Sequence, residues 1–365
     1  MKKPVPMMVG MLFCSFISFS QVESMTPAEL RYRDSITKLN QSNAAIAASQ
    51  EAYNKGIELF NQKNYKEAIV SFNKSVASDP NFTAALYNKG VAENEAEMYQ
   101  DAVTTFTALI GKQKGYSKAY FQRGRGYQGL SDYLKAEKDY EESIKLDANN
   151  PKAYYNYGTL KFLQQDYNAA IKYFTKSIEL DPNSPMAYND RGSCHRMMEN
   201  YPKAIEDYEA ALRKNPNLAF VLNNVGTTKK KMKDYAGALV AFNRAISVDA
   251  NFFLAYNNRG VTLLEKGSLD DAIKDFEKAM QINPKYAPAA SNLSGIYFKR
   301  KDFKKAEDLA TKAINIDPNY ASAYVNRGMA REMLRKMEEA CSDWKKASDL
   351  GSTEGKTCHS GNCSN

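Results

Sequence analysis

The sequence predicts an all-α protein made of nine helix-turn-helix repeats in tandem, because one 34-residue pattern recurs through most of its 365 residues. When positions are numbered within the pattern, position 8 is glycine in eight repeats and Ser294 in the other. Position 20 is alanine in all nine repeats. Such a pattern indicates a solenoid, in which neighbouring repeats bury one continuous core between them. Repeats 1 to 9 occupy residues 49–82, 83–116, 117–150, 151–184, 185–218, 219–252, 253–286, 287–320 and 321–354.

Each repeat has the spacing of two amphipathic helices. In repeat 7, Tyr256, Gly260 and Leu263 are four and three residues apart, as on one face of an α-helix, and residues 269–279 have the same spacing. Gly267 marks the turn between the two helices. A glycine inside a helix costs about 1 kcal/mol relative to alanine, so its recurrence at position 8 predicts that another backbone passes too close for a side chain.

These residues resemble the tetratricopeptide repeat family, whose 34-residue pattern combines aromatic residues with a Leu-Gly pair, an alanine and a proline. The resemblance covers residues 49–354. It implies a right-handed superhelical solenoid whose first helices line a concave groove. It also implies a function in binding proteins, since in some members a ladder of asparagines in the groove holds the main chain of an extended peptide.

The residues before the repeats predict an export signal. Within residues 1–20, two lysines precede a mainly apolar stretch that ends in small residues before Gln21, as in a cleaved secretory signal. The stretch is shorter than the roughly 20 residues that span a bilayer, so no transmembrane segment is expected after cleavage. Cys14 would suit a bacterial lipoprotein, but Phe13 stands where that family has a small residue. Export places the protein in the periplasm or outside the cell.

Residues 21–48 form either a linker or an N-terminal helix. Thr26, Pro27 and Glu29 match the start of a helix, with a capping residue, a proline at the first helical position and a glutamate three residues after the cap. Apolar residues are sparse in this segment. It therefore caps the first repeat or serves as a spacer.

Residues 355–365 form a polar tail with two cysteines, and no further helix is visible there. In an oxidising compartment, exposed cysteines tend to form disulfides. Cys358 and Cys363 can bond each other, or one of them can bond Cys341 in repeat 9 and hold the tail against it. The alternative is a metal site that includes His359, but two thiols and one imidazole are a weak metal signal.

No catalytic, cofactor or metal site is predicted, because the repeats leave too few residues for a catalytic domain. Residues 124–129 match the glycine spacing of a dinucleotide site, yet they lie in a repeat helix with no strand before it. His195 is expected to pack in the core rather than to act as a base. The net charge of +8 arises from basic residues mixed with acidic ones, so basic runs such as 229–233 are expected to be solvated surface rather than nucleic-acid contacts.

Positions 7 and 23 of the repeats change together. The four repeats with arginine at position 7 have aspartate at position 23, while three others have aromatic or aliphatic residues at both positions. Such co-variation predicts contact, so we assign the arginines to structural ion pairs between the two helices of a repeat rather than to a ligand. The predicted pairs are Arg123 with Asp139, Arg191 with Asp207, Arg259 with Asp275, and Arg327 with Asp343.

Position 6 is an asparagine in seven of the nine repeats, and helical geometry places it opposite the core, where packing does not require an amide. An amide has a donor and an acceptor that match a peptide group. By the resemblance, we expect Asn156, Asn224, Asn258 and Asn292 to bind the main chain of a peptide. The alternative is that they only keep this face soluble.

Position 2, on the same face, is polar or small in repeats 1 to 4 and apolar in the next four, with Met186, Phe220 and Leu254 in repeats 5 to 7. Val261 lies on this face too. An apolar strip beside the asparagines predicts a groove that anchors the side chains of a peptide. The alternative is that position 2 packs against the preceding repeat.

The sequence thus predicts an exported, non-catalytic scaffold that binds an extended peptide or protein segment in a groove. A second hypothesis is a structural component of a cell-envelope or secretion assembly, bound along its outer surface.

Overall fold

The computed structural model describes residues 26–363, and every regular element among them is an α-helix. The prediction of an all-α protein with helix-turn-helix repeats is confirmed. The predicted signal, residues 1–20, lies outside the described residues. Within residues 26–363, no helix combines the length and the apolar character that a membrane span requires.

The described residues form two compact parts, which divide between Leu146 and Asp147. In the first part the helices are α1 Pro27–Asn61, α2 Tyr65–Ser78, α3 Thr83–Glu95, α4 Tyr99–Lys112, α5 Ser117–Gly129 and α6 Tyr133–Leu146. In the second part they are α7 Pro151–Leu163, α8 Tyr167–Leu180, α9 Pro185–Met197, α10 Tyr201–Lys214, α11 Ala219–Lys231, α12 Tyr235–Val248, α13 Phe253–Glu265, α14 Leu269–Ile282, α15 Ala287–Lys299, α16 Phe303–Ile316, α17 Ala321–Met333, α18 Met337–Asp349 and α19 Thr353–Asn362.

The first helix joins the predicted N-terminal segment to the first helix of repeat 1 without a break. It starts with a capping box, in which the Glu29 backbone N–H donates to Thr26 Oγ1 at 3.3 Å and the Thr26 backbone N–H donates to Glu29 Oε2 at 2.8 Å. Most side chains before Ser49 are exposed. Residues 27–48 are therefore part of a helix.

The turn between the two helices of each repeat has one residue in the left-handed region, at position 15. In repeat 1 this residue is Lys63, with φ of 63°, and the backbone N–H of Asn64 closes the turn by donating to the carbonyl of Leu59 at 2.9 Å. Repeat 7 has Gly267 at this position, with φ of 82°, and there the conformation costs nothing.

The glycine at position 8 makes room for a side chain, and the prediction of a close backbone was wrong. A Cβ atom on Gly260 would lie 2.9 Å from Cε1 of Phe276, the aromatic residue at position 24 of the same repeat. Repeat 8 has Ala310 at position 24, and there Ser294 replaces the glycine and donates to the carbonyl of Ala306 at 2.7 Å. In every repeat except repeat 8, the core is therefore an aromatic ring packed against a helix backbone without a side chain.

The carboxyl-terminal tail contains a helix, so the expectation that no helix follows repeat 9 was wrong. Ser352 Oγ caps α19 by accepting from the backbone N–H of Gly355 at 3.0 Å, and Gly355 lies against Ala347 of α18. A disulfide joins Cys341 of α18 to Cys363, with the Cα atoms 5.7 Å apart. Thus α19 covers the open end of repeat 9, as a terminal cap must. The helix escapes the sequence pattern because it is short and has no apolar stripe.

Candidate functional site

The arginines at position 7 form bidentate ion pairs with the aspartates at position 23. In repeat 7, Arg259 Nε lies 2.8 Å from Asp275 Oδ2 and Arg259 Nη2 lies 2.6 Å from Asp275 Oδ1. The third guanidinium nitrogen, Nη1, donates to Asn243 Oδ1 of the preceding repeat at 2.6 Å. Each arginine therefore joins the helices of its own repeat and also joins that repeat to the one before. The same bidentate geometry holds for Arg123 with Asp139, Arg191 with Asp207, and Arg327 with Asp343.

Where the charges are missing, apolar side chains fill the same place. Tyr157 stacks on Tyr173 with ring centroids 4.0 Å apart, and Leu293 packs in one core cluster with Leu309. The guanidinium groups at position 7 are thus used in holding the repeats together. Hydrogen bonding to Asp275 raises the pKa of Arg259 above its usual value, so this group stays charged.

Five of the seven asparagines at position 6 bond the preceding repeat, and the prediction that packing does not require them was wrong. Asn224 Nδ2 donates to Asn189 Oδ1 at 3.0 Å, and Asn258 Nδ2 donates to Asn223 Oδ1 at 2.9 Å. We call this series of hydrogen bonds the amide ladder, and it continues from Asn292 to Asn257 at 3.1 Å. Asn156 lies outside it, because its Nδ2 donates to the carbonyl of Lys152 in its own helix.

The partners in the amide ladder are the residues at position 5, which the sequence reasoning missed. The sequence does contain a signal that could have identified them, because position 5 is aromatic in repeats 1 to 4 and asparagine in repeats 5 to 7. The hydrogen-bond pattern differs at repeat 5, because position 6 there is Asp190, whose carboxylate accepts hydrogen bonds but does not donate them. Tyr155 Oη donates to Asp190 Oδ2 at 2.6 Å, and Asn189 Nδ2 donates to Asp190 Oδ1 at 2.8 Å.

The predicted apolar strip is exposed at one end and partly packed at the other. Met186 is 40% exposed and Met197, on the same helix face, is 46% exposed. Phe220 is half-buried against the core cluster around Tyr208, and Leu254 is half-buried as well. At position 2, Phe220 therefore packs against the core, while Met186 is exposed. Val261 packs against the core cluster of repeat 7 and is also half-buried.

The residues considered for chemistry lie in packed surroundings. Burial lowers the pKa of His195, whose Nε2 is 4.0 Å from Asp207 Oδ2. Cys194 is fully buried, and burial raises its pKa to about 12, so the thiol is unreactive at neutral pH. Residues 124–129 lie within α5. Residues 26–363 include Cys358 and His359, the residues of the alternative metal site. Within that range no group of three or more ligating side chains is placed to hold a metal ion.

Comparisons with known proteins agree with the helical repeat. Tetratricopeptide repeat profiles match residues 53–117, 117–150, 151–184, 185–218, 226–288 and 263–331, which together exceed half of the chain. No curated protein sequence matches the chain.

Solved structures share the fold at low sequence identity. A tetratricopeptide repeat protein from Parabacteroides merdae is 18% identical, with a TM-score of 0.57, over 68% of this chain and 99% of that one. The C-terminal part of a repeat protein from Cytophaga hutchinsonii is 20% identical, with a TM-score of 0.53, over 66% of this chain and 98% of that one. The pilF protein of Pseudomonas aeruginosa is 20% identical, with a TM-score of 0.51, over 58% and 97%. These similarities show the fold alone.

Proposed function

Because this chain belongs to the tetratricopeptide repeat family, we propose that it is an exported, non-catalytic scaffold that binds an extended segment of a partner protein. The segment would lie along the first helices of repeats 5 to 8. These helices are α9, α11, α13 and α15, and each contacts the next.

The observation that carries the proposal is the amide ladder with exposed apolar side chains beside it. An amide has two N–H donors and two acceptor lone pairs, so a single bond from Asn224 or Asn258 to the preceding repeat leaves hydrogen-bonding capacity for a peptide main chain. Met186 lies beside the ladder, and methionine is common at adaptable binding surfaces. A row of amides gives affinity without sequence preference, and neighbouring pockets give specificity.

Two features support export. The first 20 residues have the composition of a secretory signal. The disulfide between Cys341 and Cys363 suits an oxidising compartment such as the periplasm or the cell exterior. The mass of the mature protein tests this point: cleavage after Ser20 should leave Gln21 as the first residue.

One experiment tests the scaffold proposal against the alternative of binding along the outer surface. Val240, on the second helix α12, is 61% exposed and favours that alternative. Partner proteins cross-linked in the exported fraction should be lost with Met186→Glu but retained with Val240→Glu, which introduces the same residue on a second helix. The reverse result would place the partner on the outer surface and contradict the proposal. Circular dichroism of both variants should match wild type, since both side chains are exposed.

A further inference from the structure

A cavity of about 240 Å³ lies beside the amide ladder, since its wall includes Asp190, which accepts a hydrogen bond from Asn189 of the ladder. It is bounded by α7 and α8 of repeat 4 and α9 of repeat 5. Its walls are two aromatic rings, two hydroxyls and one carboxylate, supplied by Phe162, Phe174, Thr159, Ser193 and Asp190. Such a volume holds several waters or a short alkyl chain, since each liquid water occupies about 30 Å³.

The carboxylate on its wall has hydrogen-bond donors but no counter-ion. Asp190 accepts from Tyr155 and Asn189, both of which are neutral. Among residues 26–363, no lysine, arginine or histidine forms an ion pair with Asp190. Burial therefore raises the pKa of Asp190, because no positive charge offsets it. By contrast, Asp207 in the same repeat is neutralised by Arg191.

The surroundings fit a cation with an apolar stem. Aromatic faces attract cations, and two rings line the cavity. Met186 lies four residues before Asp190 and Met197 seven residues after it, so both lie on the same face of α9. Their side chains are exposed and can cover methylene groups that lead into the cavity.

We propose that this cavity binds the ammonium group of a lysine side chain in the partner's segment, with Asp190 as its counter-ion. The proposal deepens the scaffold function and rests on it for the presence of a partner. An ammonium needs fewer acceptor sites than a guanidinium does, and Tyr155 and Asn189 leave one lone pair free on each oxygen of Asp190. A guanidinium prefers both oxygens of a carboxylate at once, whereas a compact ammonium needs only one remaining lone pair.

The test uses the full exported chain with ¹³C-labelled methionine methyl groups and n-butylammonium as the probe. Resonances of Met186 and Met197 are assigned by leucine substitution. They should shift saturably, with the millimolar affinity expected of so small a ligand. The neutral isostere 1-butanol serves as the control for apolar binding and should cause no saturable shift.

The matched variant is Asp190→Asn, which installs the residue that neighbouring repeats have at position 6 and keeps an acceptor for Tyr155. Its affinity for n-butylammonium should fall about tenfold or more, because the charge pair is lost. Equal affinity in both proteins, equal binding of 1-butanol, or the absence of a saturable shift in wild type would overturn the proposal. Tighter binding of n-butylguanidinium would overturn the assignment to lysine. None of these results bears on partner capture by the Met186→Glu and Val240→Glu variants, so the pocket and the scaffold can fail separately.

Discussion

Replacing Arg259 by leucine should destabilise repeat 7 more than replacing Arg259 and Asp275 by leucine together. The Asp275 side chain is only 6% exposed, and its two oxygens accept from Arg259 at 2.6 and 2.8 Å. Without the arginine, the carboxylate would remain buried and without a counter-ion. Without both groups, no buried charge remains.

The magnitude follows from how well water reaches the pair. Removing one member of a buried ion pair costs about 3–5 kcal/mol, whereas an exposed pair contributes under about 1 kcal/mol. Arg259 is 24% exposed, so water can partly solvate the remaining charge. We therefore expect a loss of about 2–3 kcal/mol for either single variant. The double variant should lie within about 1 kcal/mol of wild type, because repeat 8 natively has Leu293 and Leu309 at these positions.

Local measurements are needed, because a solenoid can open repeat by repeat and its melting temperature then gives no single free energy. Native-state hydrogen exchange of amides in α13 and α14 reports the free energy of opening repeat 7. Arg123→Leu, in repeat 3, is the control and should leave these amides unchanged. If the losses of the two single variants simply add in the double variant, the two side chains do not interact and the reasoning fails.

Two further predictions concern buried groups at other places. Glu93 in α3 is 2% exposed, and burial raises its pKa. The native state therefore binds the Glu93 proton more tightly than the unfolded chain does. As pH rises from the pKa of the unfolded chain to that of the native state, unfolding becomes easier. Glu93→Gln should therefore increase the urea midpoint at neutral pH, with the gain vanishing below a pH of about 4.3; a gain independent of pH would contradict this. Replacing both Cys341 and Cys363 by serine should release α19 and expose Trp344, the single tryptophan, with a loss of about 3 kcal/mol for a loop of 22 residues. The fluorescence of Trp344 should then shift to the red, whereas Cys358→Ser should leave it unchanged.

The nine repeats of one chain serve as their own alignment, which is why contacts within a repeat could be predicted. Arg259 and Asp275 pair in the structure at positions that change together in the sequence. Glycine at position 8 and an aromatic residue at position 24 follow the same rule, since both are replaced in repeat 8, at Ser294 and Ala310. Each of these contacts joins two positions of the same repeat, so comparing repeats position by position is enough to find it.

Contacts between repeats escaped the same reasoning. Asn258 bonds Asn223, which lies 35 residues earlier and at a different position of the preceding repeat. When position 6 is compared from one repeat to the next, the comparison shows a row of asparagines but does not show which residues they bond. The final helix, α19, escaped for another reason: its stability comes from the Cys341–Cys363 disulfide and the close approach of Gly355, and neither produces a hydrophobic period.

The amide ladder gives no structural reason for a charge at Asp190. In the first part of the chain, Asn88 Nδ2 donates to Tyr53 Oη at 2.8 Å, between the same two positions that Tyr155 and Asp190 occupy. An asparagine therefore satisfies a tyrosine at this place, with the donor and acceptor exchanged. The aspartate instead brings a carboxylate into a site where burial raises its pKa. Because of this raised pKa, the ionised form of Asp190 lowers the stability of the native state relative to the unfolded chain. A costly charge on a cavity wall, where a neutral residue would serve the fold, is the kind of compromise that binding sites make.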